Sequence, residues 1–210
     1  MGEPKGGFVE IVRAIDKIYL DGEIHISQFP FARSLKNVSK GRWDFHIPYI
    51  RPPHVNEKNL GFTYADECIT KVTFVLYSRN TGKDLNINTL NSLKIDTLRG
   101  HKNLMPFHVS ETNDIETGIK KILARRIHGF VMEQDAVDKY LRENKIKGIH
   151  RQLYAEWDSC IVIPKTEKGK RINEYLSSAI RQLKASGDLD KINKTIHKPY
   201  DNWQPINAKY

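Results

Sequence analysis

Apolar residues at Phe8, Val9, Ile11, Val12, Ile15 and Ile18 recur at spacings of three and four, which predicts an opening helix after Gly6-Gly7. Beyond an Asp21-Gly22 turn the period changes, and the alternation Ile24-His-Ile26 predicts a short strand. Phe29-Pro-Phe-Ala-Arg-Ser-Leu35 leads into a second helix that ends at Gly41. A strand is predicted from Asp44 to Ile50, stopped by Pro52-Pro53. Residues 54–66 show no period and are expected to be an irregular loop. The β-branched and aromatic run Ile69 to Tyr77 predicts a strand ending at Asn80-Thr-Gly82.

Asn88 to Leu93 reads as a short helix, Lys94 to Leu98 as a strand, and Arg99-Gly100-His101-Lys102 as a glycine turn into another helical segment. A helix over Glu116 to Arg125 is followed by a strand from Gly129 to Met132 and a helix from Gln134 to Glu143. Ile149 to Tyr154 and Ser159 to Ile163 predict two further strands. The stripe Ile172, Tyr175, Leu176, Ala179, Ile180 and Leu183 predicts a helix from Lys170 to Ala185, with Ser186-Gly187 as its C-cap and a last short helix from Asp188.

Two of these stretches repeat one grammar. Leu35 to Tyr49 and Ile119 to Glu133 each read as an amphipathic helix, a basic turn and a short apolar strand. They superpose without a gap, so that Leu35 meets Ile119, Val38 meets Ile122, Asp44 meets His128 and Tyr49 meets Glu133. The repeat points to two similar α/β lobes. In open α/β sheets ligands bind beyond the carboxyl ends of the strands, so function is sought there. At the glycine turn, Gly100 lets the backbone approach a ligand, and the N–H groups that follow favour an anion such as a carboxylate.

Composition narrows the classes. A hydrophobic fraction of 39% and an aromatic fraction of 10% in 210 residues are those of a folded chain able to bury a core. The net charge of +9 favours anionic partners, but Lys and Arg are scattered among Asp and Glu, so no nucleic-acid partner is expected. No helix pair of histidines, phosphate loop or flanked nucleophile is present, and neither a metal site nor a cofactor is expected. Cys68 and Cys160 are too few and too far apart for a zinc site or a disulfide framework and read as two buried free thiols. The start Met1 to Gly7 lacks the apolar core of a signal peptide, leaving a cytosolic or a trimmed chain.

The order of elements resembles the type II periplasmic solute-binding proteins of the amino-acid-binding group. Four stretches carry the resemblance: Pro30-Phe-Ala-Arg33 running to Gly41-Arg-Trp-Asp44, the turn Leu98-Arg-Gly-His101, Leu123 to Glu133, and Ile180 to Ile192. The resemblance implies two lobes, each a mostly parallel sheet flanked by helices, joined by two hinge crossings near Glu67 to Ile69 and Glu156 to Cys160. Lobe 1 would comprise residues 1–67 with 160–210, and lobe 2 residues 68–159. Cys68 and Cys160 would then lie near the hinge strands, where a bridge becomes an alternative to the free thiols still expected.

The resemblance also implies a ligand site. Tyr49 and Arg51 would hold a carboxylate, Gly100 and His101 would add N–H donors, and Glu133 would take an ammonium, roles that suit a planar guanidinium fork and a charge-assisted acceptor. Two departures stand out. Arg51-Pro-Pro-His replaces the usual Thr-x-x-Arg, and Glu133 stands where Asp is usual. The family's first strand has no counterpart before Glu3, so the chain is read as truncated and binding in this form as impaired. The expectation is a periplasmic, monomeric, non-enzymatic protein that captures an amino acid or similar small molecule and presents it to the membrane permease of an ABC transporter. The alternatives are a receptor's sensor domain and a dehydratase-like enzyme with Glu133 as general acid or base.

Overall fold

The first helix, α1 (Gly7–Asp16), exists because Val9, Ile11, Val12 and Ile15 share one face and are all buried. The structure, a computed structural model, describes residues 4–20 and 22–203. Residues 1–3, 21 and 204–210, which include part of the predicted Asp21-Gly22 turn and the end of the expected first lobe, lie outside the described residues. The chain forms two compact units, residues 1–71 with 158–197 and residues 72–157 with the tail from Lys198.

The first unit holds α1, α2 (Phe31–Ser39), β1 (His46–Arg51), the first part of β2 (Phe62–Arg79), the last part of β6 (Ile149–Pro164), α5 (Glu167–Ala185) and α6 (Asp188–Ile196). Its core gathers Ile11 and Ile15 of α1 with Ile161, Ile163, Leu176 and Ile180. Thr166 starts α5 by accepting the Gly169 N–H at 3.1 Å, and Gly187, at φ 75°, turns the chain from α5 into α6. β1 runs antiparallel to β6, with Tyr49 opposite Cys160 and Arg51 opposite Asp158.

The second unit contains β3 (Ile95–Leu98), β4 (Ser110–Thr112), α3 (Ile115–Leu123), β5 (Gly129–Glu133) and α4 (Gln134–Glu143). β3 lies parallel to both β4 and β5, and β5 pairs antiparallel with β2, Phe74 opposite Glu133. Thr97, fully buried, ties the parallel pair further by donating its hydroxyl to the Val131 carbonyl at 2.8 Å. Strand order is β1-β6-β2-β5-β3-β4. The long strands β2 and β6 each contribute to both units, since the unit limits fall at 71/72 and 157/158 within them.

The second unit contains a buried ion pair. Arg151 and Asp138, at 1% and 2% side-chain exposure, meet at 2.7 Å, and Tyr77 donates its hydroxyl to the same carboxylate at 2.9 Å. Burial pushes Asp138 up to about 6 against the opposing pull of Arg151. The guanidinium also donates to the Tyr200 carbonyl at 3.2 Å and lies 4.4 Å from the centre of that ring. Through these contacts the tail at 198–201 packs with the second unit, whereas the expected lobe limits placed it in the first.

Four expectations are corrected. Cys68 and Cys160 form a disulfide and no free cysteine remains, because β2 and β6, remote in sequence, are neighbours in the sheet. No strand forms at Ile24–Ile26: the Ile24 N–H donates to Asp16 Oδ1 at 2.7 Å, and its side chain packs on the core without a neighbouring strand among the described residues. The predicted loop at 54–66 runs only to Gly61, since β2 begins at Phe62. The two strands predicted at 149–154 and 159–163 are one, β6, whose Ala155 to Asp158 stretch stays extended despite its polar residues.

Candidate ligand-binding site

In the second unit β3 and β5 are parallel neighbours in the register Thr97 to Val131, so Gly100 and His101, just past β3, lie beside Glu133 at the end of β5. Gly100 adopts φ 93°, a conformation glycine takes without strain. Its N–H is engaged within the chain: it donates to Glu111 Oε1 at 2.8 Å. The His101 N–H donates to the Leu98 carbonyl at 3.0 Å. Both turn donors expected to meet a ligand anion are therefore occupied, and a ligand carboxylate would reach Gly100 by displacing Glu111. Burial holds the His101 imidazole below its ordinary pKa, opposed by the Arg99 and Leu98 backbone and by Glu111.

Glu133 is half-buried and occupies the position that opens α4, where a carboxylate is favoured by the helix dipole. One residue on, Gln134 is buried and donates its amide to the Lys198 carbonyl, so the start of α4 is fixed by the tail.

In the first unit Tyr49 belongs to an aromatic wall. Its ring stacks on Phe31, with centroids 5.7 Å apart and 16° between planes, and meets Phe62 edge-on at 5.0 Å. Burial raises its pKa. Arg51 sits at the end of β1, where its Nε donates to Glu57 Oε1 at 2.6 Å and its guanidinium carbon lies 5.0 Å from the Tyr64 ring centre. Arg51 is thus paired and platformed in the chain itself, about one-third exposed. Tyr64 completes the arrangement by donating its hydroxyl to the Ile50 carbonyl at 2.9 Å.

The structure brings Tyr49 and Arg51 together in one unit, and Gly100, His101 and Glu133 together in the other. Two carboxylates absent from the sequence-based set matter to both groups. Glu57 holds Arg51, and its signal was an acid six residues downstream in the same loop. Glu111 holds Gly100, and it sits in a three-residue strand that no periodicity marks. Among the described residues no cluster of three or more His, Cys, Asp or Glu side chains could hold a metal ion. No described helix is long and apolar enough to cross a membrane.

The paired long strands between two α/β units, with parallel strands ending at a glycine turn and an acidic helix start, define the type II periplasmic-binding-protein fold. Solved structures place that fold in particular company. A substrate-binding protein of an amino-acid ABC transporter superposes with a TM-score of 0.68 at 21% identity, covering 92% of this chain and 88% of its own. The arginine-, lysine-, histidine-binding protein ArtJ of Geobacillus stearothermophilus gives 0.69 at 15% identity, with 97% and 93% covered. A histidine kinase sensor domain similar to periplasmic binding proteins gives 0.72 at 15% identity, with 93% and 87% covered. No protein-family model and no curated protein sequence matches the chain.

Proposed function

We propose that the protein is a solute-binding protein that captures a small polar ligand bearing an amine, an amino acid or a close analogue, and delivers it to an ABC-transporter permease. The observation that carries the reading is the placement of the glycine turn and Glu133 at the carboxyl ends of neighbouring parallel strands, where open α/β sheets bind ligands. Glu133 accepts the ligand ammonium, and the ligand carboxylate takes the Gly100 N–H from Glu111. The two lobes are taken as the two compact units, residues 1–71 with 158–197 and residues 72–157 with the tail from Lys198, hinged where β2 and β6 pass from one to the other, and ligand binding drives their closure. The disulfide supports a periplasmic or extracellular site of action, because such bridges persist in oxidising compartments.

A thermal-shift screen against amino acids, amines, small carboxylates and sugars tests this. One ligand class should raise the midpoint progressively with concentration, as linkage requires. Glu133→Gln should abolish the shift, while Glu111→Gln should strengthen binding of ligands that carry a carboxylate. A ligand class that stabilises the parent and the Glu133→Gln variant equally would sink the reading. Likeness to the histidine kinase sensor domain favours a second reading, a sensor module with the same ligand chemistry. Delivery of bound ligand to a reconstituted permease separates the two. Turnover of the ligand that Glu133→Gln eliminates would instead favour the enzymatic alternative.

A further inference from the structure

At the end of the second unit opposite the glycine turn, about 13 Å away along the four residues of β3, lies a cavity of about 410 Å³. It opens where β3 and β4 begin and where α3 gives way to β5. Lys94, Lys121, Arg126 and His108 line it together with Ser110 and the floor carboxylate of Asp96. The charges do not cancel. Asp96, almost fully buried, is bound by Lys121 at 2.7 Å, so that pair is neutral within itself. Lys94 and Arg126 have no carboxylate within ion-pair distance among the described residues. Two uncompensated cations therefore face one small concavity, with Leu93, Ile95 and Ile127 as apolar wall.

The rim is built, not merely exposed. The Lys94 N–H donates to His128 Nδ1 at 2.9 Å and the Lys94 carbonyl accepts from the His128 N–H at 2.8 Å, which clamps the start of β3 to the turn before β5. The His108 N–H is held by Asn91 Oδ1 at 2.9 Å. The backbone before Arg126 is fixed by the cap of α3: Arg125 takes the left-handed conformation at φ 58°, and the Arg126 N–H returns to the Lys121 carbonyl at 2.9 Å. The volume is that of a small-molecule site.

We infer that this cavity is a second binding site, independent of the candidate site above, for a small molecule carrying a multivalent oxyanion, either a phosphate group or clustered carboxylates. Lys94 and Arg126 provide the charge, Arg126 a planar fork that suits either oxyanion, and Ser110 and His108 further polar contacts. The apolar wall accommodates a short carbon body.

Titration of the whole protein with inorganic phosphate and with citrate, each against sodium chloride of matched ionic strength, tests the inference by thermal shift. At a hundredfold excess over Kd, a site of this kind should raise the midpoint saturably by about 5 °C or more. Lys94→Ala with Arg126→Ala should weaken binding at least about tenfold. Lys58→Ala with Arg79→Ala removes the same charge elsewhere and should leave it unchanged. All four side chains are exposed, and Lys94→Gln with Arg126→Gln provides a milder version that removes the charge but keeps a polar, hydrogen-bonding side chain. Response to both anions identifies the shared oxyanion chemistry, and response to one identifies its source. A shift no larger than that of matched chloride, or one that survives in the Lys94/Arg126 variants, overturns the inference.

Discussion

The helix-turn-strand units α2–β1 and α3–β5 carry the same local grammar and end in different surroundings. Both helices are nine residues long, and both close through a left-handed residue whose successor donates back to a carbonyl five residues earlier, Arg42 to Asn37 and Arg126 to Lys121, each at 2.9 Å. Beyond the turn they diverge: β1 pairs antiparallel with β6, whereas β5 lies between parallel β3 and antiparallel β2. Local sequence decides where each helix stops, and the partners available in each unit decide what the strand does. The units also differ in their ties. A disulfide secures the first, and the buried Arg151–Asp138 pair with Tyr77 secures the second.

The sharpest way to separate the two ties is to break the ionic one. Arg151→Met leaves the Asp138 carboxylate buried without its counter-charge and should cost about 3–5 kcal/mol, whereas adding Asp138→Leu should return most of the loss. Hydrogen exchange should place the damage in peptides from 72–157. Next in size is the covalent tie: Cys68→Ala with Cys160→Ala should cost about 2–4 kcal/mol, with exchange rising in the first unit. If both changes loosened both units equally, the assignment of one tie to each unit would fail.

Acidification should drive the units in opposite directions. Burial lowers His46, whose Nδ1 lies 2.7 Å from Ser34 Oγ, to about 4. A depressed histidine favours its neutral form in the fold, so its contribution is intact above about 6.5 and is lost as pH falls towards 4. Asp138 is the reverse. Its raised pKa makes its contribution greatest at low pH and smaller as pH rises through about 6. Between pH 7 and 5 each effect is on the order of 1 kcal/mol. Region-resolved exchange should show the first unit loosening and the second tightening, with His46→Gln flattening the first response.

Most helices were legible because their apolar stripes and end residues act locally: the predicted 134–143 is α4, and Gly41 and Gly187 do stop the helices they follow. Strands were legible only where side chains alternated or were strongly β-branched. β4 has three polar residues and exists because β3 offers it a parallel partner, and β6 stays continuous because pairing overrides its polar middle. The disulfide depends on two strands separated by 92 residues becoming neighbours, which no local pattern records. At the candidate site, the types and positions of Arg51, Gly100 and Glu133 were visible. Glu57 and Glu111, which occupy the first two, act through tertiary contacts.

The smallest prediction tests the comparison at its root, the two helix caps. Gly41 and Arg125 occupy the same place in the repeat, at φ 68° and φ 58°, yet only one is glycine. At Gly41 a Cβ would meet nothing within 4 Å, so Gly41→Ala carries the backbone strain alone and should cost about 1 kcal/mol. Arg125→Gly removes that same strain and gives back some freedom to the unfolded chain, so it should stabilise by less than about 1 kcal/mol. Denaturant midpoints of the two variants should therefore move in opposite directions. Movement of both towards lower stability would mean that Arg125 contributes contacts that outweigh its strain, and the equivalence of the two caps would end at the backbone.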